Sequence, residues 1–246
     1  MTSLYPRAAT QRPSFFIEIE RKELLTTIAR IEGLCASIYL PVRRDFAALF
    51  DDAMSSIRLQ LDDRGLGRVE RMEFLQPLLD CAEPFKRNPG GAAGVAIFWS
   101  ASSLMSVDLA LPPLELMTVE HYPRVTALIG LWARATDGSD DEVAELERRA
   151  AVIERWAEIP GVVGTRIGEV LRRSAEGRVE SLFIDADAET LGDAHALLYN
   201  QHEASHPFED LLNAAAVETL QHGGRVFVVP SRRMPIGGVV AAEYRC

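Results

Sequence analysis

The sequence predicts an α/β protein: an α+β N-terminal domain followed by a C-terminal α/β/α sandwich. Three observations carry that expectation. Residues 165–246 alternate helical and strand patterns in the order expected of a sheet covered by helices. The run "AAGVAIFWS" is apolar throughout and is followed after a short break by "SLMSVDLALP", the pattern of a central strand and its hairpin partner. Between them and the N-terminus, "DFAALFDDAMSSIRLQLDDRG" places Phe46, Leu49, Phe50, Ala53, Ile57 and Leu61 at helical spacing.

Taken in order, "SFFIEIERKELLTTIARIEG" opens on a short apolar run and continues as a helix with Leu24, Leu25, Ile28 and Ile31 on one face, stopped by Gly33. "LCASIYLPV" follows as a buried strand. The Phe46 helix has Asp45 as its expected N-cap and Gly65 beyond its end. In "VERMEFLQPLLDCA" a second helix is expected, with Pro77 starting, kinking or dividing it. After the turn "RNPGG" and the hairpin, "LELMTVEHYP" reads as another strand. These elements make residues 1–125 the N-terminal domain.

Residues 126–164 are expected to be a helical connector. Here "DGSDDEVAELERRAAVIERWAEIPG" carries Val143, Leu146, Ala150, Ile153 and Trp156 at helical spacing, with Asp140 or Asp141 as cap and Pro160-Gly161 as the stop. The third unit, 165–246, begins with the helix "TRIGEVLRRSAEG", capped by Thr165 and ended by Gly177. The strand "RVESLFID", the helix "PFEDLLNAAAVETLQHGG" and the strands "RVFVVP" and "GVVAAEYR" complete it.

Composition limits the function classes. The 246 residues are 48% hydrophobic and 25% charged, ordinary for a globular chain. A net charge of -10 opposes indiscriminate binding to nucleic acid or anionic membranes, while leaving room for a local basic patch. Only Lys22 and Lys86 of the 26 cationic residues are lysine; the arginine excess fits either forked phosphate donors or a GC-rich coding bias. Cys35, Cys81 and Cys246 lie far apart without CxxC spacing, as in a cytosolic protein with reduced thiols. Prolines and arginines occupy the N-terminal stretch where a secretory leader needs an apolar run, and no segment reaches the roughly 18 apolar residues of a membrane span. The expected location is the cytoplasm, without membrane contact.

Two motifs have competing readings. Gly223-Gly224 follows a helix and precedes an apolar strand, whereas a phosphate loop needs strand, glycines and helix in that order. The pair is therefore expected to cap a helix C-terminus. "HEASH", residues 202–206, matches the H-E-x-x-H pattern in which His202 and His206 ligate zinc and Glu203 serves as general base, with His195 available as a further ligand. Pro207 disfavours helical geometry at His206, and Ser205 or His206 reads better as the cap of a helix with Pro207 in its first turn and Glu209-Asp210 favouring its dipole. A catalytic zinc, an incidental or regulatory metal, and a solvated loop remain open. No cofactor is otherwise expected.

Among remaining candidates, Asp185 and Asp187 follow a strand, where α/β proteins often keep functional carboxylates. Arg172, Arg173, Arg178, Arg232 and Arg233 all fall in the third unit; if they converge they form an RNA- or phosphate-binding face, and otherwise they are a solvated surface. The chain has no GxSxG, Walker motif or Cys-His pair of familiar spacing.

Four segments, "CASIYLP", "GVAIFWS" leading to "LALPP", "GRVESLFID" and "FEDLLNAAAVETLQHGGRVFVVP", resemble in order and spacing the bacterial relatives of the archaeo-eukaryotic peptide-chain release factors and Pelota. The resemblance covers about two thirds of the chain. It implies an N-terminal α/β domain, a middle domain and a C-terminal sandwich similar to RNA-binding ribosomal proteins. The Gly-Gly-Gln loop with which release factors hydrolyse peptidyl-tRNA is missing from this sequence, and residues 126–164 are too few for a full middle domain. The resemblance thus implies a shortened, non-catalytic, translation-linked protein that binds the ribosome, structured RNA or a protein partner. A zinc-dependent hydrolase and a self-associating structural protein pairing sheet edges are the alternatives.

Overall fold

The structure, a computed structural model, describes residues 14–89, 93–135, 140–159, 161–199 and 208–245. It has an α/β fold with two four-stranded sheets. The first part comprises α1 (Ser14–Ala29), β1 (Cys35–Pro41), α2 (Phe46–Asp63), α3 (Arg68–Arg87), β2 (Gly94–Trp99), β3 (Leu104–Leu109), β4 (Leu116–Glu120) and α4 (Val125–Ala135). Then come α5 (Asp140–Trp156), β5 (Val163–Gly164), α6 (Ile167–Ala175), β6 (Val179–Asp185), β7 (Leu191–Gly192), α7 (Ala194–Tyr199) and β8 (Glu209–Asp210). The chain closes with α8 (Leu211–Gln221), β9 (Arg225–Val229), a 3-10 turn (Ser231–Arg233) and β10 (Val240–Tyr244).

The first sheet has the order β3-β2-β1-β4 and is antiparallel throughout. Its pleat sorts the side chains: Ala36, Ile38 and Leu40 of β1 join Val95, Ile97 and Trp99 of β2 against the buried faces of α2 and α3. Cys35, Tyr39, Ala96 and Phe98 point the other way. The second sheet, β5-β10-β6-β9, is mixed; β6 and β9 run parallel, and β10 is antiparallel to both β5 and β6. Leu182, Ile184, Val240 and Ala242 face α6 and α8, while Phe183, Val229 and Ala241 face Ile153 of α5 on the outer side.

These facings stack the molecule in layers. Helices α2 and α3 cover the first sheet, α5 covers the second, and α1, α4, α6 and α8 lie among the buried faces that the two sheets turn inward. Helix α8 is apolar almost all round because it is buried almost all round, from Leu211 to Val217 without interruption. One contiguous core therefore contains Tyr39 and Phe98 of the first sheet together with Leu182 and Val240 of the second. The stretch expected as a connector supplies α5, the outer helical layer of the second sheet.

Several local expectations need correction. Pro77 neither starts nor divides α3, which runs through both Pro77 and Pro84; burial of Phe74, Leu75, Leu78 and Ala82 against the sheet outweighs the lost backbone bonds. Asp45 occupies the N-cap position of α2, but its carboxylate makes no cap bond and accepts instead from Arg43 Nε at 2.8 Å. Arg166, not Thr165, precedes α6, again without a side-chain cap. Helix α8 starts at Leu211, so Glu209-Asp210 form the short strand β8 opposite β7, and Asp210 is the cap that accepts from Leu212 N at 3.1 Å. The proposed caps Ser205 and His206, and Pro207 expected in the first turn, lie outside the described residues, as do the side chains of Asp140 and Asp141.

The Gly223-Gly224 cap is present. Gly223 has φ +77°, its N–H donates to Leu220 O at 3.1 Å, and Gly224 N–H donates to Thr219 O at 2.8 Å, the paired bonds of a Schellman ending. Among the described residues no helix is long and apolar enough to cross a membrane.

Candidate functional site

Parallel strands leave their carboxyl ends facing the same way, and between α4, α5 and those ends of β6 and β9 lies a cleft of about 1130 Å³. The chain turns away from the sheet at Asp185 and Val229, so each strand feeds a loop into the cleft wall. Asp185 is buried and ties the two loops together. Its Oδ2 accepts from Ser231 Oγ at 2.7 Å, and its Oδ1 accepts from Asp187 N at 3.1 Å. Ser231 opens the 3-10 turn, so this carboxylate fixes the segment that carries Arg232 and Arg233, both exposed and both lining the cleft.

The inner end of the cleft is built on Arg124, at the start of α4. Its guanidinium forks onto Glu120, with Nε to Oε2 at 2.9 Å and one terminal nitrogen to Oε1 at 3.0 Å; it also donates to Asp210 Oδ2 at 2.7 Å and Glu189 Oε1 at 2.9 Å. Its backbone is held too, the amide donating to Ser37 Oγ at 3.0 Å and the carbonyl accepting from the Tyr39 hydroxyl. Arg124 thus joins β4, the loop after β6 and the cap of α8. Beside it, buried Glu209 accepts from the His121 amide at 2.8 Å and pairs with His121 Nδ1 at 2.7 Å, with Arg64 at 3.6 Å. Farther along α8, Tyr122 donates to Glu218 Oε1 at 3.2 Å.

The five arginines singled out from sequence divide into two groups. Arg178 immediately precedes β6, whereas Arg232 and Arg233 follow β9; because the two strands are parallel, the groups sit at opposite ends of the sheet, separated by a strand length of about 20 Å. Of the two alternatives, the five therefore do not all share one face. At the far end, the side chains are occupied locally: Arg172 Nε donates to Gly168 O at 3.2 Å, Arg173 lies over the Tyr244 ring at 5.1 Å, and Arg178 sits 3.8 Å from Glu176. Arg232 and Arg233 have no ion-pair partner among the described residues.

Of the zinc candidates, His202, Glu203 and His206 lie outside the described residues. His195 stands on α7 with its ring 4.6 Å from that of Tyr199, beside a small pocket of about 150 Å³ shared with His121 and Glu209. Among the described residues no three His, Cys, Asp or Glu side chains are grouped as a metal site would need. Cys35 is buried, and desolvation pushes its thiol up to about 12, which makes it a packing residue rather than a nucleophile.

Sequence reasoning missed Arg124, Glu120, Asp210 and Glu189, which contact one another across as many as 86 positions. A partial signal exists in "EHYPR", where Glu120 and Arg124 stand four residues apart; nothing local reveals the partners that complete the set.

Fold and cleft together define an α/β protein with a cleft between its layers. No model of a known protein family matches this chain, and no curated protein matches it.

Proposed function

We propose that the protein is a non-catalytic, release-factor-like, translation-linked protein that binds RNA, on the ribosome or apart from it, at the mouth of the interlayer cleft. The observation that carries this reading is the pair Arg232-Arg233. Both project from a turn whose geometry is fixed by Asp185, both are exposed, and neither is engaged by a carboxylate among the described residues. Guanidinium groups presented in this way are free to fork onto phosphate oxygens, and a rigid support lowers the entropy lost on binding. The mixed sheet with helices on both faces also fits the RNA-binding third domain that the sequence resemblance implies.

The test is sedimentation of the purified chain with ribosomes at low salt, with the double substitution Arg232→Glu and Arg233→Glu alongside. The wild type is expected to pellet with ribosomes and the double variant to lose about tenfold or more in affinity. The pair Arg172→Glu and Arg178→Glu, at the other end of the sheet, is expected to have little effect. A wild-type chain that stays in the supernatant, or a double variant that pellets equally well, overturns the reading.

A further inference from the structure

We infer that the cleft takes an unpaired RNA strand rather than a duplex, and that Arg134 is a third phosphate contact with Arg232 and Arg233; this rests on the RNA-binding reading above. Arg134 lies in the last turn of α4, is exposed, and lines the same cleft.

Formal charge alone would not suggest an anion site, since six carboxylates line the cleft against four arginines. What decides the matter is which groups are already engaged. Glu115 is paired with Arg43 at 3.0 Å and Glu142 with Arg21 at 3.5 Å. Glu189 and Asp210 are held by Arg124, and Asp185 by Ser231 and the Asp187 amide. Among the described residues the groups left without an ion-pair partner are Arg134, Arg232, Arg233 and a single acid, Asp187. The cleft therefore offers an incoming ligand three guanidinium forks against one carboxylate.

Its shape selects the form of the RNA. At about 1130 Å³ the cleft is just above the roughly 300–1,000 Å³ of sites that enclose one small molecule, room for a few nucleotide units and not for a double helix. Its floor is apolar, with Leu116, Leu131, Leu146 and Val228. A duplex hides its base faces in the stack and can offer this floor only phosphates and sugars. An unpaired strand can lay base faces on the apolar floor while its phosphates reach the rim. Among the described residues no exposed aromatic side chain lines the cleft to act as a stacking platform, so the binding is expected to be largely electrostatic and weakly sequence-dependent.

The experiment is fluorescence anisotropy with a labelled single-stranded RNA of about ten nucleotides, compared with the same strand annealed to its complement. The single strand is expected to bind at least about tenfold more tightly, with a slope of about -2 in log K against log salt, since each neutralised single-strand phosphate contributes about -0.7. Arg134→Glu is expected to weaken binding several-fold and make the slope shallower, and Asp187→Asn to strengthen binding. Equal or tighter duplex binding, or an Arg134→Glu variant that binds as the wild type does while Arg232→Glu/Arg233→Glu is weakened, sinks this inference and leaves the RNA reading standing. If neither RNA binds the wild type, the RNA reading itself falls.

Discussion

Buried carboxylates define the chemistry of this molecule at the scale of single residues, and their partners decide what each one does. Asp210 is satisfied by a helix amide and a single arginine N–H, so it can serve at once as cap and junction. Glu218 has a poorer set: the Tyr122 hydroxyl at 3.2 Å and His222 Nδ1 at 4.0 Å. Burial raises the Glu218 carboxyl above the ordinary carboxylate range, with the Tyr122 hydrogen bond and His222 opposing the rise. The folded chain therefore keeps a proton at Glu218 at pH values where the unfolded chain has released it. Its contribution to stability falls as pH rises through the interval from the ordinary carboxylate value to the raised one, and is recovered on acidification. Glu218→Gln, which keeps an acceptor for Tyr122 and removes the charge, should then be more stable relative to the wild type at neutral pH than at pH 4. Urea midpoints at both pH values measure this; a difference that does not grow with pH would remove Glu218 as the titrating group.

At the scale of elements, the ending of α8 shows how a glycine pair divides two demands. Gly223 supplies the positive φ of the Schellman ending, and a Cβ there would meet nothing within 4 Å. Gly224 supplies space, since a Cβ would stand 2.6 Å from Thr219 Cγ2 and 2.7 Å from the Val179 carbonyl oxygen. Gly223→Ala is expected to cost about 1 kcal/mol through conformational strain. Gly224→Ala should cost more, about 1–3 kcal/mol, because backbone must move. Thermal unfolding of the two variants gives the order directly, and the reverse order would contradict this division. The cap was legible in the sequence because helix, glycines and strand are consecutive, so polarity alone excludes a phosphate loop. Helix α4 was legible only as part of a helical connector: "VTALIGLWARA" packs in the layer shared by the two sheets, and nothing local in its sequence names those partners. The start of α8 was misplaced for a related reason, since Glu209 and Asp210 look like first-turn acids until β7 arrives from elsewhere in the chain to pair with them.

At the scale of the whole molecule, most of the long elements of both halves can be read from sequence, whereas their shared helical layer cannot, because it depends on contacts such as Gln221 Nε2 to Ala29 O, 192 positions apart. The same distance in sequence hides the cleft, whose walls come from α4, α5 and the ends of β6 and β9. A layer buried by both sheets has an energetic consequence. If either half opened alone, α8 and the inner faces of Tyr39, Phe98, Leu182 and Val240 would lose their cover, at roughly 1.5–3 kcal/mol for each large side chain exposed. Arg124 adds a penalty of the same sign, since parting the halves would separate its guanidinium from Asp210. The two sheets are therefore expected to unfold in one transition. Tryptophan fluorescence reports mainly from Trp99 in the first sheet, Trp132 on α4 and Trp156 on α5, while far-ultraviolet circular dichroism reports the helices throughout, so coincident urea curves are the expected result. Arg124→Ala should lower the midpoint of both curves together, by about 3–5 kcal/mol in stability, because it leaves Glu120 and Asp210 buried without their cation. Separate transitions in the wild type, or an Arg124→Ala variant that shifts only one probe, would mean that the shared layer does not couple the sheets and that each half folds on its own.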